Sequence, residues 1–590
     1  MSAVVLDGRS LTLETLAAVA RDPATRVTLD PAALERVRRG REQIEAIVER
    51  YREGWRAYRE GGERPMQDYG VTTGFGEFKN VPLAADELEG AQENILRSHM
   101  TGIGDTASLD DPGNVYPAEV VRATLVIRIN AFLRGHSGVR VALVEQLVRL
   151  LHRGIVPAIP TKGSLGSSGD LCPLSHCFGI LVGAGHYWRV ESVDELHRPP
   201  KLKPATELAT DLGEEPLMPV VKEGLALING ATVSAALLGL AVVDATNLTQ
   251  VADRSGALSF EAACGCARAY DPIVHEARGQ IGQIDVAAHI RELMTGSTLV
   301  DSANDVQDPY SLRCMPAVHG SVRDALGFVR GIAEREINAA TDNPLFFPDR
   351  DDTPWNHGFA DNWPGGYQGE TRASYSAGNF HGQPVAMAAD ILCLAIAELA
   401  NIAERRVQLL LDRNHNRNLP SNLVPHRGVH SGLMLAQYSA ASLVAENKVL
   451  CHPASVDSIP TGANIEDHIA NATVAARKLR TVIGNVEAVL AIELMVAAQA
   501  VDWRVGLGFK PSPGADDRRP AMPGDHEDAM RDEADDFAKA VADPEAIATK
   551  LGQGTAEVYR FVRRQIPTLQ DDRVLADDIR VLRQAIQDRS

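Results

Sequence analysis

The chain has 590 residues, 45% hydrophobic and only 5% aromatic, with a formal net charge of −19. Length and apolar content suit a globular protein with a large core. The acidity argues against nucleic acid as a partner and disfavours an anionic membrane surface.

No stretch reaches the roughly 18 uninterrupted apolar residues of a membrane span. The nearest, from Ala488 to Val501, carries Glu493 and Gln499. The opening MSAVVLDGRS lacks the basic start and apolar run of a signal peptide. Seven cysteines without a CxxC pair read as reduced thiols, buried at Cys264 and Cys266. A cytoplasmic protein without a metal site is expected.

In chain order, residues 31–60 repeat apolar positions at helical spacing. A Gly/Pro break follows, GGERPMQDYGVTTGFGEFKNVP, which reads as a structured loop. It lacks the Lys-Ser/Thr of a phosphate-binding loop, so no nucleotide is expected. Residues 117–153 are helical in pattern, and the polar turn GSLGSSGDLCPLSH (163–176) interrupts them before helical sequence resumes. Three segments, 221–257, 380–413 and 430–501, are rich in Ala, Leu, Ile, Val and Met. The second is apolar nearly all round, as in a helix buried in a bundle or between subunits. Two polar stretches, 348–370 and 508–536, read as surface loops. The pattern predicts a mainly all-α fold with a long central helix bundle. A mixed region (1–220) precedes the bundle (221–505), and a polar loop with a helical cap (506–590) follows it.

The 163–169 turn packs three glycines among three serines. Glycine costs backbone entropy, so it belongs where the chain bends sharply or approaches something closely. Its amide nitrogen is the least hindered in a chain. In a tight turn the Gly169 nitrogen can attack the Ser167 carbonyl carbon, closing a five-membered ring around Ser168. Loss of water from the ring and of the Ser168 hydroxyl leaves an electrophilic imidazolone with an exocyclic methylene. A second frame, with the Ser168 nitrogen attacking Gly166, is less favoured on steric grounds.

This stretch resembles the cofactor loop of the aromatic amino acid ammonia-lyases and aminomutases. Further similar stretches follow in the family's order. They are YGVTTGFG at Tyr69, QENILRSHMTGIG at Gln92, EGLALING at Glu223, VQDPYSLRC at Val306, ATDNPL at Ala340, AGNFHGQPVAMAAD at Ala377, ENKVLCHPASVDSIPT at Glu446 and ANIEDHIA at Ala463. The resemblance covers roughly residues 5 to 505. It implies the ammonia-lyase/fumarase-like all-α fold, a homotetramer with shared active sites, and 4-methylideneimidazole-5-one (MIO) formed from Ser167-Ser168-Gly169. The histidine ammonia-lyases are the most similar branch, on Ser98-His99 and on Glu466, since an imidazole needs polar partners that a phenyl ring would leave unpaired.

The same resemblance implies roles. Tyr69 takes the β-proton, which calls for a lowered phenol pKa and nearby positive charge. Arg313 holds the substrate carboxylate through its guanidinium fork. Asn229 and Gln307 bond the MIO oxygen and the substrate, and Tyr310 and Phe380 line the walls. Glu466 engages the imidazole or amino group, with His99 on the ring side. Ser167 in place of the commoner Ala, Ile465 in place of Gln, HIANA for HVSMG, His430 in place of Asn and the long 348–370 stretch depart from the family pattern and bear on the substrate. Three other readings stay open: an aminomutase forming a β-amino acid from a histidine- or tyrosine-like substrate, a lyase for another aromatic amino acid, and an inactive oligomeric scaffold.

Overall fold

The computed structural model describes residues 3–111, 113–196, 201–303, 305–348, 374–508 and 527–588. Nearly all of 348–370 lies outside them, as does 509–526 of the second polar stretch. Long helices dominate, with three small sheets of two or three strands. Two compact units interleave along the chain. The first comprises residues 1–243, 330–390 and 453–477, and the second 244–329, 391–452 and 478–590. The sequence reading had cut the chain consecutively at 220 and 505. Four of the five boundaries between these units fall inside helices, and the fifth, at 452/453, falls in a connection.

In the first unit, strand Val4–Leu6 pairs in parallel with Val27–Leu29. Helix Leu13–Arg21 begins at Thr12, whose side chain accepts from the Thr15 amide, and buries Leu13, Leu16, Ala17 and Ala20. It packs against helix Ala118–Phe132, buried throughout Val120–Phe132. A helix so enclosed must satisfy its polar side chains internally. Arg122 does so by donating to the Val19 and Ala20 carbonyls at 2.8 and 3.1 Å. These lie at the carbonyl end of helix Leu13–Arg21, where orphan acceptors and the helix dipole favour a cation. Arg128 donates to the Asn229 and Thr341 carbonyls at 2.7 and 3.1 Å. Burial lowers its pKa to about 10.

The 221–257 segment is two helices, Glu223–Ile228 and the start of Thr232–Ala262, broken at Asn229–Ala231. Likewise 430–501 holds Met434–Leu450 and Ala472–Val501, separated by a 21-residue connection. Composition averaged over each whole segment passes over both breaks, and both carry candidate site residues.

In the second unit, the Glu493 carboxylate accepts from Ser255 Oγ (2.7 Å), Ser259 Oγ (2.9 Å), Arg406 Nε (2.5 Å) and Arg406 Nη2 (3.0 Å). Arg406 and Glu493 are fully buried. These donors and acceptors sit on three long helices, so the pair fixes their register. Further on, Asp502 accepts from Tyr559, Arg563 and Thr568, tying down the C-terminal helices.

The expectation about membrane spans needs correcting. By length and composition alone, Thr232–Ala262, Gln383–Leu411 and Ala472–Gly506 are long and apolar enough to cross a membrane. An interrupted apolar run still qualifies when its mean is high. In the structure their most apolar windows are 83%, 61% and 89% buried by protein. Five cysteines are buried, Cys264 and Cys266 among them.

Removing one member of a buried ion pair strands the other. Glu493→Ala is therefore expected to destabilise the protein by about 3–5 kcal/mol. The double variant Arg406→Met/Glu493→Leu should recover most of that loss. Urea denaturation monitored by circular dichroism checks both.

Candidate active site

Gly166 and Gly169 both adopt left-handed backbone, with φ of +70° and +81°. A Cβ on Gly169 would stand 2.1 Å from the Gly230 carbonyl carbon, and one on Gly166 2.8 Å from the Ala472 Cβ. The glycines therefore answer both to φ and to close backbone approach. The turn is held from two sides. Gly230 N–H donates to the Ser168 carbonyl (3.3 Å), Asp170 N–H donates to the Gly230 carbonyl (2.9 Å), and Gly382 N–H donates to the Gly166 carbonyl (3.0 Å).

Asp170 anchors this arrangement. Its position at a helix start suggests an N-cap, yet its side chain makes no such bond. Fully buried, it accepts from Ser234 N (2.7 Å), Ser234 Oγ (2.9 Å), Thr473 Oγ1 (2.7 Å) and Ser164 Oγ (3.1 Å). Ser234 and Thr473 lie in the first turns of the Thr232–Ala262 and Ala472–Val501 helices, where N–H groups and the dipole favour an anion. Burial still pushes the Asp170 pKa up against these bonds.

Ser168 Oγ donates to Glu466 Oε1 at 2.5 Å. The other carboxylate oxygen of Glu466 accepts from Thr461 Oγ1 at 2.9 Å, and the backbones of Thr461 and Glu466 bond each other reciprocally. Ser167 Oγ, by contrast, is buried and has no hydrogen-bond partner. Among the described residues no acceptor receives the Gly169 N–H or the Ser168 N–H.

The Tyr69 hydroxyl accepts from the Gly76 amide at 3.1 Å. Burial raises its pKa, the Gly76 bond opposes this, and the nearby Glu466 charge adds to it. The sequence had called for a lowered phenol and adjacent positive charge. The first unit supplies an anion instead, because the residue that comes near, Glu466, is an acid from a distant segment. His99 closes helix Leu88–Ser98, with its Nδ1 3.0 Å from Ser98 Oγ. Burial lowers its pKa against the Ile95 carbonyl and Glu466, so the ring favours its neutral form. Asn229 sits in the helix break beside Gly230, its Oδ1 buried and without a partner. Phe380 is half-buried, two residues before Gly382.

Thus Tyr69, His99, Ser167, Ser168, Gly169, Asn229, Phe380 and Glu466 all belong to the first unit. Gln307, Tyr310 and Arg313 belong to the second. There Gln307 and Tyr310 are exposed, Tyr310 at 72%. The Arg313 guanidinium lies 4.7 Å from the Tyr310 ring centroid and donates through Nε to the Asp308 carbonyl at 2.8 Å. Its remaining N–H groups point a fork that no carboxylate fills among the described residues.

Sequence reasoning missed the supports. Ser164, Asp170, Ser234 and Thr473 carry no motif beyond an acid next to a glycine turn. The buried Lys222–Asp342 pair, bonded at 2.9 Å through both carboxylate oxygens, left no trace in local pattern either.

The chain resembles known proteins over its full length. A model of the family described as aromatic amino acid lyase matches residues 11–519. A histidine ammonia-lyase of Anaeromyxobacter dehalogenans is 40% identical, over 100% of this chain and 99% of that protein. The crystal structure of histidine ammonia-lyase from Trypanosoma cruzi superposes with a TM-score of 0.77 at 32% identity, covering 100% of this chain and 94% of that one. Tyrosine aminomutase from Streptomyces globisporus superposes with a TM-score of 0.76, also at 32% identity, over 100% and 97%.

Asp170→Asn would turn an amide N–H₂ toward donors that now meet a carboxylate. Leaving one buried donor unsatisfied costs about 1–3 kcal/mol. Ser164→Ala, which keeps the remaining bonds to Asp170, is expected to cost less. Urea unfolding of both variants provides the comparison.

Proposed function

Because the chain belongs to the aromatic amino acid lyase family, and is thereby a carbon–nitrogen lyase, we propose that it eliminates ammonia from L-histidine to give trans-urocanate. The observation that carries this reading is the meeting of Ser168 Oγ and Glu466 at 2.5 Å, with Tyr69 and His99 close enough to feel the same carboxylate. The histidine ammonia-lyase names of relatives at about 40% identity support the substrate.

The Ser167-Ser168-Gly169 turn fits the MIO group. Its glycine approaches Gly230 too closely for any Cβ, and its two ring-forming N–H groups meet no acceptor among the described residues. MIO, once formed, supplies an electrophile for the substrate amine.

The other groups position the substrate and move a proton. An imidazole presents one donor and one acceptor, or two donors when charged. Neutral His99 and the Glu466 carboxylate match it, whereas a phenyl ring offers neither of them a hydrogen-bond partner. The buried Asn229 Oδ1 is free to accept from the substrate amine. Tyr69, as phenolate, takes the β-proton. Its raised pKa makes the phenolate scarce at neutral pH, and a cation beside it would be needed to offset burial.

Arg313 is suited to the substrate carboxylate, and Gln307 and Tyr310 accompany it. We take these three to complete the site in a homotetramer whose active sites are shared between subunits. Exposed apolar side chains on helix Met434–Leu450 and just beyond it support assembly, including Leu435 (56%), Tyr438 (63%) and Val449 (74%). The enzyme is proposed to be cytoplasmic.

Incubation with L-histidine and mass analysis of the products tests the reading. Urocanate with free ammonia is expected. An isomer of unchanged mass would mean an aminomutase, and turnover of phenylalanine or tyrosine alone would move the substrate. An unreactive protein of unreduced mass would be a scaffold. Tyr69→Phe should lower kcat by about 10²–10⁴-fold. The sign of the pH dependence follows from the raised phenol: the base form grows as pH rises toward a pKa above the usual tyrosine range. A pH–rate series should therefore show kcat/KM climbing through neutral into alkaline pH, with that climb absent in Tyr69→Phe.

A further inference from the structure

We propose that the first unit carries a second ligand site, a recess that takes a phosphate group borne by a small organic molecule. It shares no residue with the candidate active site and needs no assumption about substrate or MIO.

The recess measures about 320 Å³. Arg9, Arg36, Arg134, His136 and Phe347 line it, and no acid among the described residues does. Four segments distant in sequence meet there, and bonds brace each to another. Gly8 N–H donates to the buried Asn130 Oδ1 at 2.9 Å, which ties the Arg9 loop to helix Ala118–Phe132. Arg134 and His136 follow that helix directly. Arg36, on helix Pro31–Arg59, donates through Nη2 to the Asp7 carbonyl at 2.6 Å. It also donates to the Leu133 carbonyl, through Nε at 3.3 Å and Nη2 at 3.2 Å. Phe346 N–H donates to the His136 carbonyl at 2.9 Å, and His136 Nδ1 donates to the Phe346 carbonyl at 2.9 Å. The Phe347 ring centroid stands 4.7 Å from that of His136.

These braces hold three guanidinium groups around one space without neutralising them. Arg36 spends its bonds on carbonyls, and the Arg134 Nε is buried with no partner. Among the described residues no carboxylate bonds any of the three. The closest acids face the backbone instead. Asp7 Oδ1 accepts from the Arg9 and Ser10 amides at 2.7 and 2.8 Å, and Asp30 Oδ1 from the Ala33 amide at 2.8 Å. The arginines consequently act on one another. Burial and the Arg9 charge lower the Arg36 pKa against Asp30 and Asp7. Burial and the Arg9 and Arg36 charges lower that of Arg134 against Asp7. Burial lowers the His136 pKa against the Phe346 bond, and the three arginine charges lower it further. In a chain of net charge −19 this is a local excess of cations, held at a cost that a bound anion removes.

Guanidinium forks match the planar geometry of carboxylate and phosphate oxygens. Three of them exceed what the two oxygens of a carboxylate can engage and suit the three free oxygens of a phosphate monoester. The Phe347 ring supplies an apolar wall for the organic part.

Isothermal titration calorimetry of the full chain, at constant ionic strength, tests the site with phenyl phosphate. Saturable binding at one site per chain is expected, with inorganic phosphate competing more weakly. Arg9→Gln and Arg134→Gln should each weaken binding at least about tenfold, the loss of a charge-assisted contact. Arg59→Gln removes the same charge at the far end of helix Pro31–Arg59 and should leave binding unchanged. Arg9 is exposed, so its variant carries the test if Arg134→Gln does not fold. Absence of saturable binding would overturn the proposal. So would unaltered affinity in Arg9→Gln, which would place the phosphate elsewhere, or an equal loss in Arg59→Gln, which would make the attraction a general field. Benzoate binding as tightly as phenyl phosphate would overturn the assignment to phosphate.

Discussion

A single buried carboxylate organises the first unit. Asp170 gathers donors from its own loop and from the starts of two long helices. A carboxylate in that position costs much to bury and is tolerable only with its acceptor sites filled. The filling fixes where the chain just before it must lie. Gly169 is thereby pressed against Gly230, and the turn that precedes it takes a shape that only glycine permits. The tight turn is thus imposed by long-range bonds, with local propensity merely allowing it.

The same logic governs the second unit, where Glu493 collects Ser255 and Ser259 from one long helix and Arg406 from another. Apolar helices alone pack in many registers, since Ala, Leu and Val faces are interchangeable. One fully bonded ion pair selects a register, and a shifted one would strand its charges. Fixed helices matter for the chemistry because the candidate site residues occupy their ends and breaks. Asn229 lies in one such break, and Glu466 in the connection that leads into Ala472–Val501.

The environment of Glu466 brings several demands together. It meets Ser168 directly and acts on both Tyr69 and His99. An anion there keeps the phenol protonated and resists the burial that would discharge the imidazole further. In the second unit, the Arg313 guanidinium lies 4.7 Å from the Tyr310 ring centroid and donates to the Asp308 carbonyl, and these two contacts limit its freedom.

Much of this was legible in the sequence. The glycine-serine turn marked a sharp bend, and its chemistry was implied by the family's motifs around it. The family's motifs named Tyr69, His99, Asn229, Phe380 and Glu466, and the turn itself supplied Ser167, Ser168 and Gly169. Composition marked the long helices but, averaged over each segment, passed over the breaks at Asn229–Ala231, where Gly230 sits, and at 451–471, where Pro453, Pro460 and Gly462 sit. Tertiary structure alone decided three things. It joined Ser168 to Glu466 across 298 residues. It made Asp170 a bridge between the starts of two long helices. It raised the Tyr69 phenol, where the motif had suggested a lowered one. Motifs report which groups a chain carries, but burial and long-range neighbours set how those groups ionise, and both exist only once the chain is folded.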